Sequence, residues 1–328
     1  MPVLDKVELD IYIYTGLSSA YTGNLKYELN RTRISSQSNV TFEIANLVKD
    51  YITHDFNNDY PSDTVWVRTE ARLYDPSGAE FASGSPDIDT YLAKDGYGYF
   101  EDGVNPQLSD NLLMSSNYIY LPENTAGKLP IYAEGVGKVT IDSSDTQITD
   151  DGNTNQKIQY ISIPSNSNTI QVYDTDDSTL LRTVTIKNIV CSKYTEYKVT
   201  FVNKYGAYQD IWFFRASRET LDIEESKYKR NIIESDTISY DKYKGTEARY
   251  NVTGKTSLKL NTDFVNEDFN KTIEELFLAE DVWIRYENNT LPVIPKSKQL
   301  AFKTSVNDKL INYEIEFEFA YNKINNIR

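Results

Sequence analysis

A period-two alternation of apolar and polar residues recurs along this chain, and it restricts much of it to strands with one buried face. Near the start, Val7, Leu9, Ile11 and Ile13 alternate with Glu8, Asp10, Tyr12 and Tyr14. Near the end, Tyr313, Ile315, Phe317 and Phe319 alternate with Glu314, Glu316 and Glu318. Aromatics make up 13% of the 328 residues and include 26 Tyr, whose ring suits a pleated surface and whose hydroxyl tolerates a wet one. The fold class expected is therefore mainly β, built as β-sandwich domains, with one short amphipathic helix in each outer domain.

The pattern divides into three regions. An N-terminal β-rich domain is expected over 1–125, with strands at 7–14, 25–34, 40–42 and 65–74. Within it Ile44, Leu47, Val48, Tyr51 and Ile52 recur at helical spacing, which predicts a helix over 44–55. Residues 82–110 are rich in Gly, Asp, Ser and Pro and read as a long loop of functional or interfacial use. A small Ig-like β-sandwich insertion is expected over 126–191, from short strands at 139–141, 158–163, 170–173 and 180–189 between polar turns. A C-terminal β domain over 192–328 opens with a hairpin at Asn203-Lys204-Tyr205-Gly206. Charged residues alternate through 219–230, strands follow at 248–253 and 258–262, and Phe269, Ile273, Leu276 and Phe277 mark a helix over 266–279. The acidic face of the last strand is expected to guard a sheet edge. One internal echo stands out: Asp63-Thr64-Val65-Trp66-Val67-Arg68 after the first helix, and Asp281-Val282-Trp283-Ile284-Arg285 after the second. It is either a strand–helix–strand unit used twice or a coincidence of two β-prone stretches.

Charge and cysteine content narrow the partners. Acids outnumber bases 49 to 34, a formal charge of −15 that repels a phosphate backbone, so nucleic acid is not expected as a partner. Cys191 is the single cysteine and excludes an internal disulfide, which fits folding in a reducing compartment. The opening residues lack the pattern of a signal peptide, and no apolar run reaches the roughly 18 residues of a membrane span.

Catalytic and metal-binding patterns are sparse. His54 is the only histidine and reads as an ordinary helix terminus, where a partly positive imidazole meets the dipole. One His and one Cys do not make the usual tetrahedral zinc set. Glu134-Gly135-Val136-Gly137-Lys138-Val139 is no phosphate loop, because Tyr132 stands where its first Gly belongs and Val139 where Ser or Thr belongs. The carboxylates within 142–151 and 174–177 miss the calcium-loop spacing and read as turn residues. Trp66, Trp212 and Trp283 lie in apolar strand runs and read as core. The sequons at Asn30, Asn39, Asn251, Asn270 and Asn288 read as chance in a chain without a secretory pattern. No catalytic, cofactor-binding or metal-binding residue is assigned, and the chain is read as a non-enzyme.

The region from about Tyr197 onward resembles structural proteins of tailed bacteriophages. The resemblance rests on Val202-Asn203-Lys204-Tyr205-Gly206-Ala207 leading into Trp212-Phe213-Phe214, and on Leu260-Asn261-Thr262 before the acidic helix. Val282-Trp283-Ile284-Arg285, Pro292-Val293-Ile294 and the closing strand complete it. It implies an acidic virion protein of the tail, baseplate or neck, folded in the host cytoplasm, forming a homo-oligomeric ring and touching other virion proteins. The alternative is a module at a tail tip that binds a host-surface glycan or receptor, and a hydrolase with an unmarked carboxylate pair is the third reading.

Overall fold

Strand pairing follows from the alternation just described, and the places where it does not are informative. The computed structural model of the chain describes residues 3–103, 108, 110–150, 152–190, 193–231, 239–296 and 310–324. Cys191 lies outside them.

The N-terminal unit is a four-stranded antiparallel sheet of β1 (Lys6–Tyr14), β2 (Leu25–Thr32), β3 (Thr64–Tyr74) and β4 (Asp87–Lys94), in the order β2-β1-β3-β4. Leu9, Ile11, Ile13, Val65 and Val67 share one buried face, closed by α1 (Ala45–Lys49) through Val48. Tyr12 on the opposite face is covered by Tyr21, at 4.9 Å edge to face. Three expectations need correction here. The helical stripe over 44–55 does pack on this core, but α1 has only five residues and no side-chain cap. It tightens into i→i+3 bonds at Tyr51 and Ile52, since so short a helix is marginal by itself. Residues 40–42 form no strand. The expected loop over 82–110 contains β4, paired with β3 from Thr64↔Lys94 to Ala71↔Asp87. This edge strand escapes a hydrophobic reading because Asp87, Asp89 and Thr90 break up its apolar residues.

The middle unit stacks a five-stranded sheet on a two-stranded one. The larger is ordered β5-β11-β10-β7-β8, from β5 (Tyr118–Pro122), β7 (Lys138–Ile141), β8 (Ser144–Gln147), β10 (Thr169–Tyr173) and β11 (Leu180–Ile189). The smaller pairs β6 (Gly127–Tyr132) with β9 (Ile158–Ile163). Leu129, Ile131 and Ile163 face Val139, Ile170, Val172, Val184 and Ile186 across one core. β5 precedes residue 126 yet runs parallel to β11 and places Leu121 in that core. The turn carboxylates cap turns, as their sequence setting suggests. Asp142 accepts from the Asn168 and Thr169 amides, and Asp176 from the Ser178 and Thr179 amides.

The C-terminal unit is an antiparallel sheet in the order β13-β12-β17-β18-β20-β15-β14. Its strands are β12 (Tyr197–Val202), β13 (Tyr208–Phe213), β14 (Arg218–Lys229), β15 (Glu247–Asn261), β17 (Val282–Tyr286), β18 (Asn289–Pro295) and β20 (Glu314–Phe319). Two short additions are β16 (Val265–Asn266) paired with β19 (Leu310–Ile311), and β21 (Lys323–Ile324) on β15. α2 (Asn270–Leu278) follows a 3₁₀ turn at Glu267–Phe269 that the Asn266 side chain caps. Its Ile273 and Leu276 join Phe201, Phe213, Leu260, Ile284 and Phe317 in the largest core of the chain. Burying these side chains is worth roughly 1.5–3 kcal/mol each. The two strands expected at 248–253 and 258–262 form one, because β15 carries Gly254 without interruption. β20 is not an edge strand: it lies between β18 and β15, and its acids pair across the sheet, as Glu316 does with Lys296 at 3.0 Å.

Candidate functional site

The three units meet at an aromatic cluster that no single region builds. The segment after α1 supplies Phe56 and Tyr60, β9 supplies Tyr160, β13 supplies Tyr208 and β17 supplies Trp283. Phe56 lies 5.0 Å from Tyr208 and 5.4 Å from Trp283, centroid to centroid, and Tyr60 lies 5.2 Å from Tyr160. The Tyr208 amide donates to the Tyr160 hydroxyl at 2.9 Å, which joins the middle and C-terminal units.

His54 sits at the margin of this cluster. Its side chain is only 4% exposed, with Nδ1 2.9 Å from Asp63 Oδ2 and Nε2 3.0 Å from Asp95 Oδ2. Burial opposes a charged ring, but the hydrogen bonds and charges of the two aspartates outweigh it and raise the pKa to about 9. Asp63 also accepts from the Tyr208 hydroxyl at 2.5 Å. The expectation of a helix-terminus histidine is thus corrected, since α1 ends at Lys49 and His54 is an imidazolium held between two carboxylates. With both ring nitrogens engaged, it has no lone pair to act as a general base. The arrangement joins segments of chain: His54 and Asp63 flank the aromatic segment, and Asp95 follows β4.

Close backbone approach holds the same corner. The turn Asn203-Lys204-Tyr205-Gly206 connects β12 to β13, and buried Asn203 accepts through Oδ1 from the Tyr205 and Ala207 amides. Its Nδ2 donates to the Leu113 carbonyl at 2.7 Å. Gly206 has φ +72° and packs directly against the Asp95 backbone, while the Tyr97 amide donates to Lys204 O at 3.0 Å. A side chain at 206 would run into Asp95.

The two echo segments turn out to share this neighbourhood. Asp63 leads into β3 and Asp281 into β17, and both border His54. Burial raises the Asp281 carboxyl, while the His54 charge lowers it.

Beside the cluster opens a cleft of about 850 Å³. Asp210 lies in its floor, accepting from the Tyr60 hydroxyl and the Thr200 hydroxyl, each at 2.6 Å. Lys198 stands 3.7 Å from Asp210 and donates to Asn58 Oδ1 at 2.8 Å. Burial, with the Asp210 charge next, pushes the Tyr60 hydroxyl well above its ordinary range, so it stays protonated and donating. Asp210 accordingly has both oxygens engaged.

The three tryptophans have separate roles. Trp66 is buried and its indole N–H donates to Gly16 O at 3.0 Å. Trp283 packs on Phe56 and Tyr208. Trp212 packs between the middle and C-terminal cores and also lines the cleft, with its indole N–H unpartnered. The His54 clamp and the cleft have no local signature, because contacts that build them join residues 9 apart, as His54 and Asp63, to 150 apart, as Tyr60 and Asp210. The repeated Asp before Val-Trp was the one available signal.

Among the described residues no group of three His, Cys, Asp or Glu is placed to hold a metal ion, and no helix is long and apolar enough to cross a membrane. In comparisons with known proteins, no family model and no curated protein matches the chain.

Proposed function

We propose that this chain is a non-enzymatic structural protein of a tailed-phage virion, assembling with further copies of itself into a tail- or neck-associated ring. The observation that carries the assembly reading is the β14–β15 ribbon. These strands pair from Arg218↔Lys259 to Lys229↔Glu247, whereas β20 covers β15 only from Ser257 to Asn261 and β21 only at Thr253 and Gly254. Residues 247–252 therefore have β14 as their sole strand partner among the described residues, a two-stranded projection of roughly 20 Å.

Such a ribbon is marginal in water when nothing covers it. Leu221, Ile223, Tyr228 and Tyr250 are each about half exposed on it. β14 is also the terminal strand of its sheet among the described residues, where one row of its backbone groups has no strand partner. A second copy that docks on this edge adds main-chain hydrogen bonds and covers the apolar side chains together. The acids and lysines along β14 limit unspecific pairing while leaving a registered partner able to match them. Placement in a phage tail rests on the resemblance of the C-terminal region, and the acidic, tyrosine-rich surface supports it.

The test is native mass by light scattering after size exclusion, at two concentrations, for the wild-type chain and for Leu221→Glu/Ile223→Glu. A discrete closed oligomer that the double variant reduces to monomer, with unchanged circular dichroism, is the expected result. A wild-type chain that is monomeric throughout, or a variant that assembles as before, overturns the reading.

A further inference from the structure

The cleft beside Tyr60 is not needed for a ring built through β14, and its chemistry points to a ligand. Its volume of about 850 Å³ falls in the range of small-molecule sites. All three units line it: the segment after α1, strands β6 and β9, and strands β12, β13 and β17.

The charge balance is the first clue. Three cations, Lys128, Lys198 and Arg285, face two carboxylates, Asp59 and Asp210. Lys198 and Asp210 neutralise each other. Lys128 Nζ donates to the Ser162 hydroxyl at 2.9 Å and lies 5.9 Å from the Tyr60 ring centroid, whereas Arg285 makes one long contact, to Thr290 Oγ1 at 3.4 Å. Neither has a carboxylate partner among the described residues. Two such cations in one cleft are conspicuous in a chain of net charge −15, where acids abound as partners.

The second clue is what lies between the charges. Tyr60 and Trp212 offer aromatic surface, and Gln159 offers a planar amide. The indole N–H of Trp212 is itself buried beneath this surface. Aromatic faces take the C–H side of a sugar ring, amides take its hydroxyls, and a guanidinium takes a carboxylate with two parallel bonds. A long polyanion such as nucleic acid is repelled by the average field of the chain, whereas a short acidic sugar meets mainly the two cations.

We propose that this cleft binds an acidic saccharide, with Arg285 and Lys128 holding its carboxylate and the Tyr60 and Trp212 rings lying beside its C–H face. The assembly reading and this one are independent, because the cleft contains no residue of the β14–β15 ribbon.

The experiment uses the full-length chain and a set of oligosaccharides in matched pairs: sialyllactose with lactose, and oligogalacturonate and hyaluronan fragments with neutral oligomers of similar length. Binding is read by calorimetry and by tryptophan fluorescence. At least one acidic member is expected to bind at least about tenfold more tightly than its neutral match, equivalent to about 1.4 kcal/mol. Raising the salt concentration weakens it, and Arg285→Gln reduces affinity about tenfold or more. Lys128→Gln, on a different strand, guards against a folding defect in the first variant, and circular dichroism checks both. No binding by any acidic member, equal binding by neutral matches, or full affinity in both variants overturns the proposal.

Discussion

Replacing His54 by Gln tests whether the three-unit junction is held by a buried positive charge. An ordinary imidazole titrates at 6.5. Here burial works against the charged ring, but Asp63 and Asp95 raise the value to about 9. Folded chain therefore keeps a proton that unfolded chain releases between those values. The sign follows: the stabilisation is complete below about pH 6.5 and is lost as pH rises through about 9. Each tenfold change in proton affinity is worth about 1.4 kcal/mol, so the full effect is about 3 kcal/mol. His54→Gln keeps a neutral hydrogen-bonding side chain but leaves Asp63 and Asp95 facing each other without the cation, and Asp281 adds a third carboxyl nearby. Urea unfolding followed by circular dichroism at several pH values gives the difference between the two proteins. That difference is expected to be about 3 kcal/mol near pH 6 and to shrink below about 1 kcal/mol above pH 9. Lys94, whose burial lowers its pKa to about 8, adds stability as pH rises from there toward 10.5. Asp95 acts on Lys94 as well as on His54, so a double substitution with Lys94→Gln separates the two contributions. A difference that stays constant across this range, or grows with pH, would falsify the clamp.

Two further outcomes follow from the same corner. Gly206→Ala is expected to cost about 3 kcal/mol, because it combines a left-handed backbone with a side chain forced against Asp95. Gly78 has a similar φ of +82° with open space around it, so Gly78→Ala measures the backbone cost alone, about 1–2 kcal/mol; equal losses in chemical denaturation at the two sites would show that the close approach contributes nothing. Tyr208→Phe removes the hydroxyl that donates to Asp63 at 2.5 Å and is expected to cost about 1.5–3 kcal/mol, whereas Tyr228→Phe on the exposed ribbon should change unfolding by less than about 0.5 kcal/mol.

Joining three units through aromatics and one buried cation suits a subunit whose faces must hold a fixed relation to neighbours. Rings such as Phe56 and Tyr208 supply area and stiffness with few rotatable bonds. The paired carboxylates at His54 add a geometric requirement that general apolar packing lacks, since each ring nitrogen must meet its own aspartate. Under the assembly reading, this leaves β14 to carry the contacts between copies.

Local regularity was legible wherever burial followed the alternation of side chains. Val7 to Ile13 and Ile315 to Phe319 formed strands because period two places one set on a single face. Ile273 and Leu276 marked α2 for the equivalent reason at helical spacing. Where tertiary contacts set the structure, that reading fell short. β4 exists because β3 offered it an edge, although Asp87, Asp89, Thr90 and Lys94 break its apolar pattern. α1 stops at Lys49 and the chain runs on toward the junction, where His54 meets Asp63 and Asp95. The strands expected at 248–253 and 258–262 are one, because Gly254 between them is held on both sides by β14 and β21.

The sequence alone therefore determined the β class and the two helical stripes, because these depend on composition and on neighbours within a few residues. Only the tertiary structure decided that His54 is a buried cation, that Asp63 and Asp281 border the same histidine, and that Lys128 and Arg285 share one cleft. Those relations depend on distances between residues far apart in the chain, and such distances are set by how three separate cores pack together rather than by any local pattern.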